Sequence, residues 1–98
     1  MNDIAKVSDI TDSDVAEYLR LAEPSQDDLA TIDMLMVVAK DYIQKYTGRE
    51  DLDEYQDFVI VVLILCQDMW DNRAFYVEES NVNKVVQTIL DMHSVNLL

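Results

Sequence analysis

The residues best suited to chemistry in this chain are one histidine, one cysteine and many carboxylates. Zinc sites need several His or Cys ligands, and a catalytic thiol or hydroxyl needs a neighbouring base. His93 is the only histidine and Cys66 the only cysteine, so one chain holds no zinc motif, no histidine-based triad and no internal disulfide. We expect Cys66 to pack in the core, where burial raises its thiol pKa, and His93 to lie at the surface or at a helix end.

One acidic segment is weakly similar to a calcium-binding loop. Asp51 and Asp53 are spaced like the first two ligands of such a loop, but Tyr55 occupies the third ligand position and Gln56 the position that requires glycine. A phosphate-binding loop is excluded because Gly48 is the only glycine. We therefore expect no metal, no cofactor and no catalytic residues, and we predict that the protein is not an enzyme.

The charge balance limits the possible partners. Twenty acidic residues stand against seven basic ones, for a formal charge of −13, and the acids are spread along the whole chain. Specific binding to nucleic acid is not expected, because contact with a phosphate backbone depends on clustered Lys and Arg. The longest apolar run, residues 58–66, is shorter than the ~20 residues that span a membrane. The first residues lack the basic and apolar regions of a signal peptide, so we expect a cytoplasmic origin.

The composition predicts an all-α protein. Ninety-eight residues, half of them apolar, fit one domain over residues 1–98. Pro24 and Gly48 are the only proline and glycine, which favours few, long helices over a β fold rich in turns. Two capping-box patterns, each a Ser or Thr followed three residues later by Asp, mark helix starts: Thr11 with Asp14, and Ser25 with Asp28. They predict a short helix over residues 12–21 and a second helix from residue 26 to Gly48.

Helical periodicity defines the two long helices. Apolar residues recur at steps of three and four in both of them: Leu29, Ile32, Met36, Ala39, Ile43 and Tyr46, and then Tyr55, Phe58, Val62, Leu65 and Met69. The third helix is predicted to end near Asn72. Because residues 58–66 are apolar all round and Met34 and Val37 widen the apolar face of the second helix, we expect both helices to contact neighbouring subunits as well as the core.

The last quarter of the chain is predicted to be an arm followed by a helix. Residues 73–80 contain Phe75-Tyr76-Val77, which suits either an exposed loop or a short β-hairpin. Asn81 is predicted to cap the final helix. The expected apolar face of that helix consists of Val82, Val85, Val86 and Ile89. Residues 95–98 form an apolar tail that a monomer would have to cover.

Three segments, in this order, resemble a known family: Val7-Ser-Asp-Ile-Thr-Asp-Ser-Asp-Val-Ala-Glu-Tyr-Leu-Arg20, Ala39-Lys-Asp-Tyr-Ile-Gln-Lys-Tyr-Thr-Gly48 and Gln67-Asp-Met-Trp-Asp-Asn-Arg73. The family is that of the head-tail connector, or head completion, proteins of tailed bacteriophages. The similarity lies in an Ile-Thr cap before a short helix, a second helix closing on an aromatic, Thr and Gly, and an Asn-Arg pair ending the apolar helix. It covers residues 7–73. Ala74 departs from the pattern, and residues 77–98 match only as a loop followed by a helix.

The resemblance implies a small bundle of about four helices, one short, two long and one C-terminal, with a loop or hairpin arm before the last. It implies a bacteriophage virion protein, made in the host cytoplasm, that acts as a portal adaptor in DNA packaging. Such subunits form a homo-oligomeric ring, expected to be a dodecamer, below the portal protein. The ring extends the channel, passes DNA without specific binding and docks a tail-side stopper or completion protein.

The same resemblance supplies candidate interface residues: Trp70, Asn72, Arg73, Phe75, Tyr76 and Val77. Simpler roles remain open for three of them. Trp70 suits a plain core position, and Asn72 and Arg73 suit the cap of the third helix, where an Arg interacts well with the last carbonyl groups.

Two other classes of protein fit parts of the sequence. An acidic helical DNA mimic, which would occupy the basic cleft of a nucleic-acid-binding protein, fits the net charge, but the wide apolar helix faces favour packing against other chains. An acidic carrier protein would bear phosphopantetheine on Ser13, beside Asp12. Asp14 follows where carrier proteins usually have Leu, so this hypothesis is the weakest of the three.

Overall fold

The computed structural model describes residues 4–78 and 82–95 of the chain. Four α-helices and two short 3₁₀ turns make up the regular structure of this part: the turn Val7–Asp9, α1 Asp12–Tyr18, α2 Gln26–Thr47, the turn Leu52–Glu54, α3 Asp57–Asn72 and α4 Lys84–His93. No residue in the described ranges lies in a β-strand. The prediction of an all-α bundle with one short, two long and one C-terminal helix is confirmed.

Both predicted capping boxes are present and fix where α1 and α2 begin. The Thr11 hydroxyl accepts the Asp14 amide at 3.1 Å, while the Asp14 carboxylate accepts the Thr11 amide at 2.9 Å. Ser25 and Asp28 make the same reciprocal pair, both bonds measuring 3.0 Å. Four backbone amides at the starts of α1 and α2, which would otherwise lack a partner in the helix, are satisfied in this way.

The two long helices end as the sequence indicates, and α1 ends earlier than predicted. Gly48 caps α2 in the left-handed conformation, with φ 73°, which glycine adopts without steric cost. Helix α1 stops at Tyr18 because Arg20 takes a left-handed conformation, with φ 63°. The amide of Leu21 then bonds back to the carbonyl of Ala16 at 3.0 Å, which completes a Schellman motif.

Helix α3 forms the centre of the bundle. It packs against α1, α2 and α4, and seven residues of the apolar run are buried within the chain: Phe58, Val59, Val61, Val62, Leu63, Leu65 and Cys66. Ile60 is exposed and Ile64 half-buried, so the run serves the subunit's own core. Val61 has no accessible surface, and a charge there would unfold the subunit itself rather than report on assembly. None of the described helices is long and apolar enough to span a bilayer.

Helix α4 is rotated from the orientation predicted by its valines. Val86 and Leu90 are fully buried, whereas Val85 is 55% exposed. The helix begins at Lys84 and is capped by Asn83, whose side chain accepts the Val85 amide at 2.7 Å. The predicted cap, Asn81, lies outside the described residues. The prediction was wrong because it counted Val82 as the first apolar residue of the helix, whereas the helix begins at Lys84.

A cluster of polar contacts fastens the end of α4 to the end of α2 and the start of α3. His93, the last residue of α4, bonds through Nε2 to the Asp57 carboxylate at 2.9 Å and packs on Tyr55 with ring centroids 4.2 Å apart. Arg49 Nε donates to the His93 carbonyl at 2.5 Å. The Val95 amide donates to the Thr47 carbonyl at 2.8 Å. His93 is therefore at a helix end, as predicted, but it is part of the packing and not a surface residue.

We expect His93→Ala to lower the free energy of unfolding by about 2 kcal/mol, because it removes the Asp57 hydrogen bond and the aromatic contacts together. Urea denaturation followed by circular dichroism measures the change. Gln87→Ala is the matched control, since Gln87 is exposed on the same helix. Equal stability of the two variants would contradict a structural role for His93.

The N-terminal segment is pinned to the α2–α3 connection by one carboxylate. Asp53 accepts the Ser8 amide through Oδ1 at 2.9 Å and the Ser8 hydroxyl through Oδ2 at 2.7 Å. The Ser8 hydroxyl, and then the Ser8 amide, lower the pKa of Asp53 below its ordinary value. Both carboxylate oxygens of Asp53 are thus used within the protein.

We expect the stability difference between the wild type and Asp53→Asn to vary with pH in acid. Because the folded state lowers the pKa of Asp53, its stabilising effect is present above about pH 5 and is lost as pH falls through the folded-state value. Thermal unfolding from neutral pH down to pH 2 measures the difference. Glu54→Gln is the control, since Glu54 is an exposed acid in the same turn. A constant difference across this range would contradict the assignment.

Candidate interaction surface

The six predicted interface residues form one continuous segment at the end of α3 and in the arm after it. Trp70 and Asn72 lie in the last turn of α3, Arg73 caps the helix, and the arm begins at Ala74. Residues 75–76 form a bend, and none of residues 75–78 lies in a strand. In the described part of the arm the loop alternative is therefore correct, and residues 79–81 lie outside it.

Asn72 and Arg73 both take part in ending α3, by different means. The Asn72 side-chain amide donates to the Asp68 carbonyl at 2.8 Å. Arg73 is left-handed, with φ 52°, and the Ala74 amide bonds to the Met69 carbonyl at 2.9 Å, as in a Schellman motif. The cap is thus made by backbone groups. The Arg73 guanidinium is exposed and pairs with none of the carboxylates in residues 4–78 and 82–95.

A groove of about 430 Å³ lies between the end of α3 and the first half of α2. Its lining is Asp28, Thr31, Leu35, Met69, Trp70, Arg73, Ala74 and Phe75. Leu35 and Met69 are buried at its floor, Trp70 is half-buried, and Phe75 is 53% exposed. Trp70 therefore combines the two roles considered for it, because one part of its ring packs on the core and another part faces the groove.

The arm also crosses the second half of α2. Phe75, Tyr76 and Val77 face a neighbouring depression with Tyr42 and Tyr46. The Tyr76 hydroxyl is hydrogen-bonded to Glu78, which raises the pKa of this tyrosine. Phe75 lines both depressions, so they adjoin along one side of α2. Charged residues contribute to both linings, Asp28 and Arg73 to the first and the ion pair of Lys45 and Asp41 to the second. We call the surface formed by these depressions and Phe75 the arm groove.

Sequence reasoning found one wall of the arm groove and missed the other. The missed wall consists of Asp28, Thr31 and Leu35 on α2, together with Tyr42. These positions are spaced by three, four and seven residues, which places them along one side of a helix. That spacing was available in the sequence, but only the antiparallel packing of α2 and α3 shows that it faces Trp70.

A second apolar surface lies on α4. Val85, Met92 and Val95 are exposed, Met92 to 67%, and Ile89 between them is half-buried. Val85 and Met92 are seven residues apart and therefore lie on the same side of the helix. We call Val85, Ile89, Met92 and Val95 the α4 stripe. Helix α4 therefore has apolar residues on the side that faces the bundle, where Val86 and Leu90 are buried, and also on an exposed side.

The candidates for chemistry occupy structural positions. Cys66 has no accessible surface, and burial raises the pKa of its thiol to about 12, so it stays protonated and unreactive. Asp51 lies 3.5 Å from the Arg49 guanidinium. Within the described ranges, no group of three or more His, Cys, Asp or Glu side chains is arranged to hold a metal ion.

We expect Arg73→Gly to raise the free energy of unfolding by about 0.5–1 kcal/mol, because glycine adopts the left-handed conformation without the steric cost that arginine bears. Arg20→Gly is the matched comparison at the end of α1 and should behave alike. Chemical denaturation of the two variants and of the wild type measures the changes. A loss of stability in Arg73→Gly alone would show that its guanidinium contributes to the fold of the subunit.

Comparison with known proteins identifies no relative: no family model, no curated protein and no solved structure matches the chain. The resemblance to head-tail connectors thus stays a prediction from the three segments.

Proposed function

We propose that this protein is a structural subunit of a phage head-tail connector, which forms a ring below the portal and catalyses no reaction. The observation that carries the proposal is the presence of two separate apolar surfaces, the arm groove and the α4 stripe, on one small acidic subunit. Isolated exposed apolar residues are ordinary, but patches of this kind mark sites of association. The three sequence segments that resemble connector proteins point to the same class.

A subunit with two different association surfaces is suited to forming a closed ring. A dimer with twofold symmetry uses one patch twice, whereas a closed ring needs two different patches that fit each other on successive subunits. The arm groove is concave and the α4 stripe is convex, so they can act as such a pair. Association through them would cover the side chains that the bundle leaves exposed, among them Phe75 and Met92.

The charge of the subunit suits a channel through which DNA moves. The formal charge is −13, and in the described part of the chain the ion pairs made by Lys and Arg are Lys45–Asp41 and Arg49–Asp51. Most carboxylates therefore have no compensating cation nearby. A wall of such groups repels phosphates, so DNA passes without binding.

The arm and Arg73 are the parts most suited to contact the portal or a tail-side protein. An interfacial arginine near aromatic residues often concentrates binding energy, and Arg73 lies beside Trp70 and Phe75 at the rim of the arm groove.

We expect Arg73→Ala to leave the subunit folded, with a change in stability within about 1 kcal/mol, and to abolish its incorporation into virions. The measurements are thermal unfolding of the purified variant and mass spectrometry of purified particles that carry it. Arg20→Ala is the matched control, because Arg20 is an exposed arginine in the same backbone conformation at the end of α1.

Three outcomes separate the hypotheses. Incorporation of Arg20→Ala but not Arg73→Ala supports the connector and its anchor residue. Normal incorporation of both variants would remove the anchor role from Arg73 and leave the connector function in place. Absence of the wild-type chain from purified virions would contradict the connector function, and co-purification with a nucleic-acid-binding enzyme would then favour the DNA mimic.

A further inference from the structure

We propose that the occupant of the arm groove is the α4 stripe of a second copy of this chain. The inference rests on the proposed function, because it names the two surfaces that meet between neighbouring subunits of the ring. It is carried by the shape of the two surfaces, by their positions on the bundle and by the charges beside them.

The arm groove has the dimensions and lining of a site for a helix. Its deeper part measures about 430 Å³ and is floored by Leu35, Met69 and Trp70. Such a groove binds an amphipathic helix whose apolar side chains recur at steps of three, four and seven residues. The arm groove also extends along α2 toward Tyr42, so it offers room for more than one turn.

The apolar side chains of the α4 stripe recur at the steps of three, four and seven residues that such a groove binds. Val85, Ile89 and Met92 are separated by four and three residues, and the rise of 1.5 Å per residue places Val85 and Met92 about 10 Å apart along the helix. Met92 is the most exposed member, at 67%, and Val95 follows immediately after the helix. The stripe is also held rigidly, because the contacts of His93 fasten the end of α4 to α2 and α3.

Charged groups beside the two surfaces are complementary. Arg73 at the rim of the arm groove is exposed and unpaired among the described residues, although the chain carries 20 acids. Asp91 borders the α4 stripe; its Oδ1 accepts the Tyr46 hydroxyl at 2.5 Å, and a carboxylate has further acceptor positions. Asp28 lines the same depression; its Oδ2 accepts the Ser25 amide, and its other oxygen can pair with Lys84, the first residue of α4. Two pairs of opposite charge can therefore form in a copy that is otherwise repelled by like charge.

Within one chain, the exposed end of the α4 stripe does not reach the deep part of the arm groove. The deep part of the arm groove lies where α3 ends and α2 begins. Met92 and Val95 lie at the other end of the bundle, where the Val95 amide bonds to Thr47 at the end of α2. One copy must therefore donate its α4 stripe to the groove of the next. Repetition of this contact gives a ring or an open chain of subunits, not a twofold dimer.

Site-specific cross-linking of purified protein tests the contact directly. Phe75→Cys places a thiol in the arm groove and Met92→Cys places one on the α4 stripe, while native Cys66 does not react because it is buried and its pKa is raised to about 12. Three samples, the mixture of the two variants and each variant alone, are treated at millimolar protein concentration with a short bismaleimide. We expect cross-linked dimers in the mixture and at least several-fold fewer in either variant alone.

The control variant is Gln87→Cys, whose exposed side chain lies on the other side of α4 from Met92. Its mixture with Phe75→Cys should give only the background yield. Adding Arg73→Glu to the Phe75→Cys chain should lower the yield with Met92→Cys several-fold, because the charge beside Asp91 is reversed. Circular dichroism of each variant establishes that it is folded before cross-linking.

The outcomes decide the inference separately from the proposed function. Efficient cross-linking of Phe75→Cys with itself would indicate a twofold contact and overturn the inference. Equal yields with Met92→Cys and Gln87→Cys, or no dimer above background, would overturn it as well. The connector function is decided by the presence of the chain in purified virions, so a ring found there without the predicted cross-link would retain the function and remove this contact.

Discussion

Between Phe58 and Cys66, helix α3 has almost no polar side to turn toward water, and the need to cover it places every other helix. Burying one large apolar side chain contributes about 1.5–3 kcal/mol, and seven residues of this run are buried. A single neighbouring helix covers only one side of another helix. Helices α1, α2 and α4 therefore surround α3, and each has one apolar side facing it.

Because α3 is buried at the centre of the bundle, the exposed apolar side chains lie mainly on the outer helices. The apolar faces of α2 and α4 are wider than the contact with α3 requires, so Met34 and Val37 stay exposed on α2, and Val85 and Met92 stay exposed on α4. The arm adds Phe75. A subunit that buries its most apolar helix internally and still exposes these side chains is suited to association through its outer surfaces, which is the basis of the proposed ring.

Charge and apolar surface act against each other in such an assembly. Copies with a formal charge of −13 repel one another, and this repulsion favours separate subunits until a partner or a local pair of opposite charges offsets it. The role of each basic residue therefore depends on where it lies in the subunit. Arg49 is used inside the subunit, where it bonds to the His93 carbonyl and lies over the Tyr55 ring, whereas Arg73 stays exposed at the rim of the arm groove.

The sequence by itself determined the features that depend on local chemistry. Capping boxes at Thr11 and Ser25, the helix stop at Gly48 and the helical periodicity of α2 and of α3 from Phe58 to Met69 were predicted correctly, because each depends on residues within one or two helical turns. Tyr55, predicted to begin the apolar face of the third helix, precedes α3 and follows the turn Leu52–Glu54. The residues at the end of α1 carry no comparable local signal. The end of α1 was placed too late because Arg20, unlike glycine, gives no sign of a left-handed conformation.

Tertiary structure alone decided which sides of the helices meet. The rotation of α4 follows from packing of Val86 and Leu90 against the bundle, and the position of His93 follows from Asp57, which is 36 residues away in the chain. The arm groove likewise joins α2 residues to Trp70 across the antiparallel pair of long helices. Contacts between distant segments depend on the summed fit of all the helices, so no local pattern of residue types specifies them.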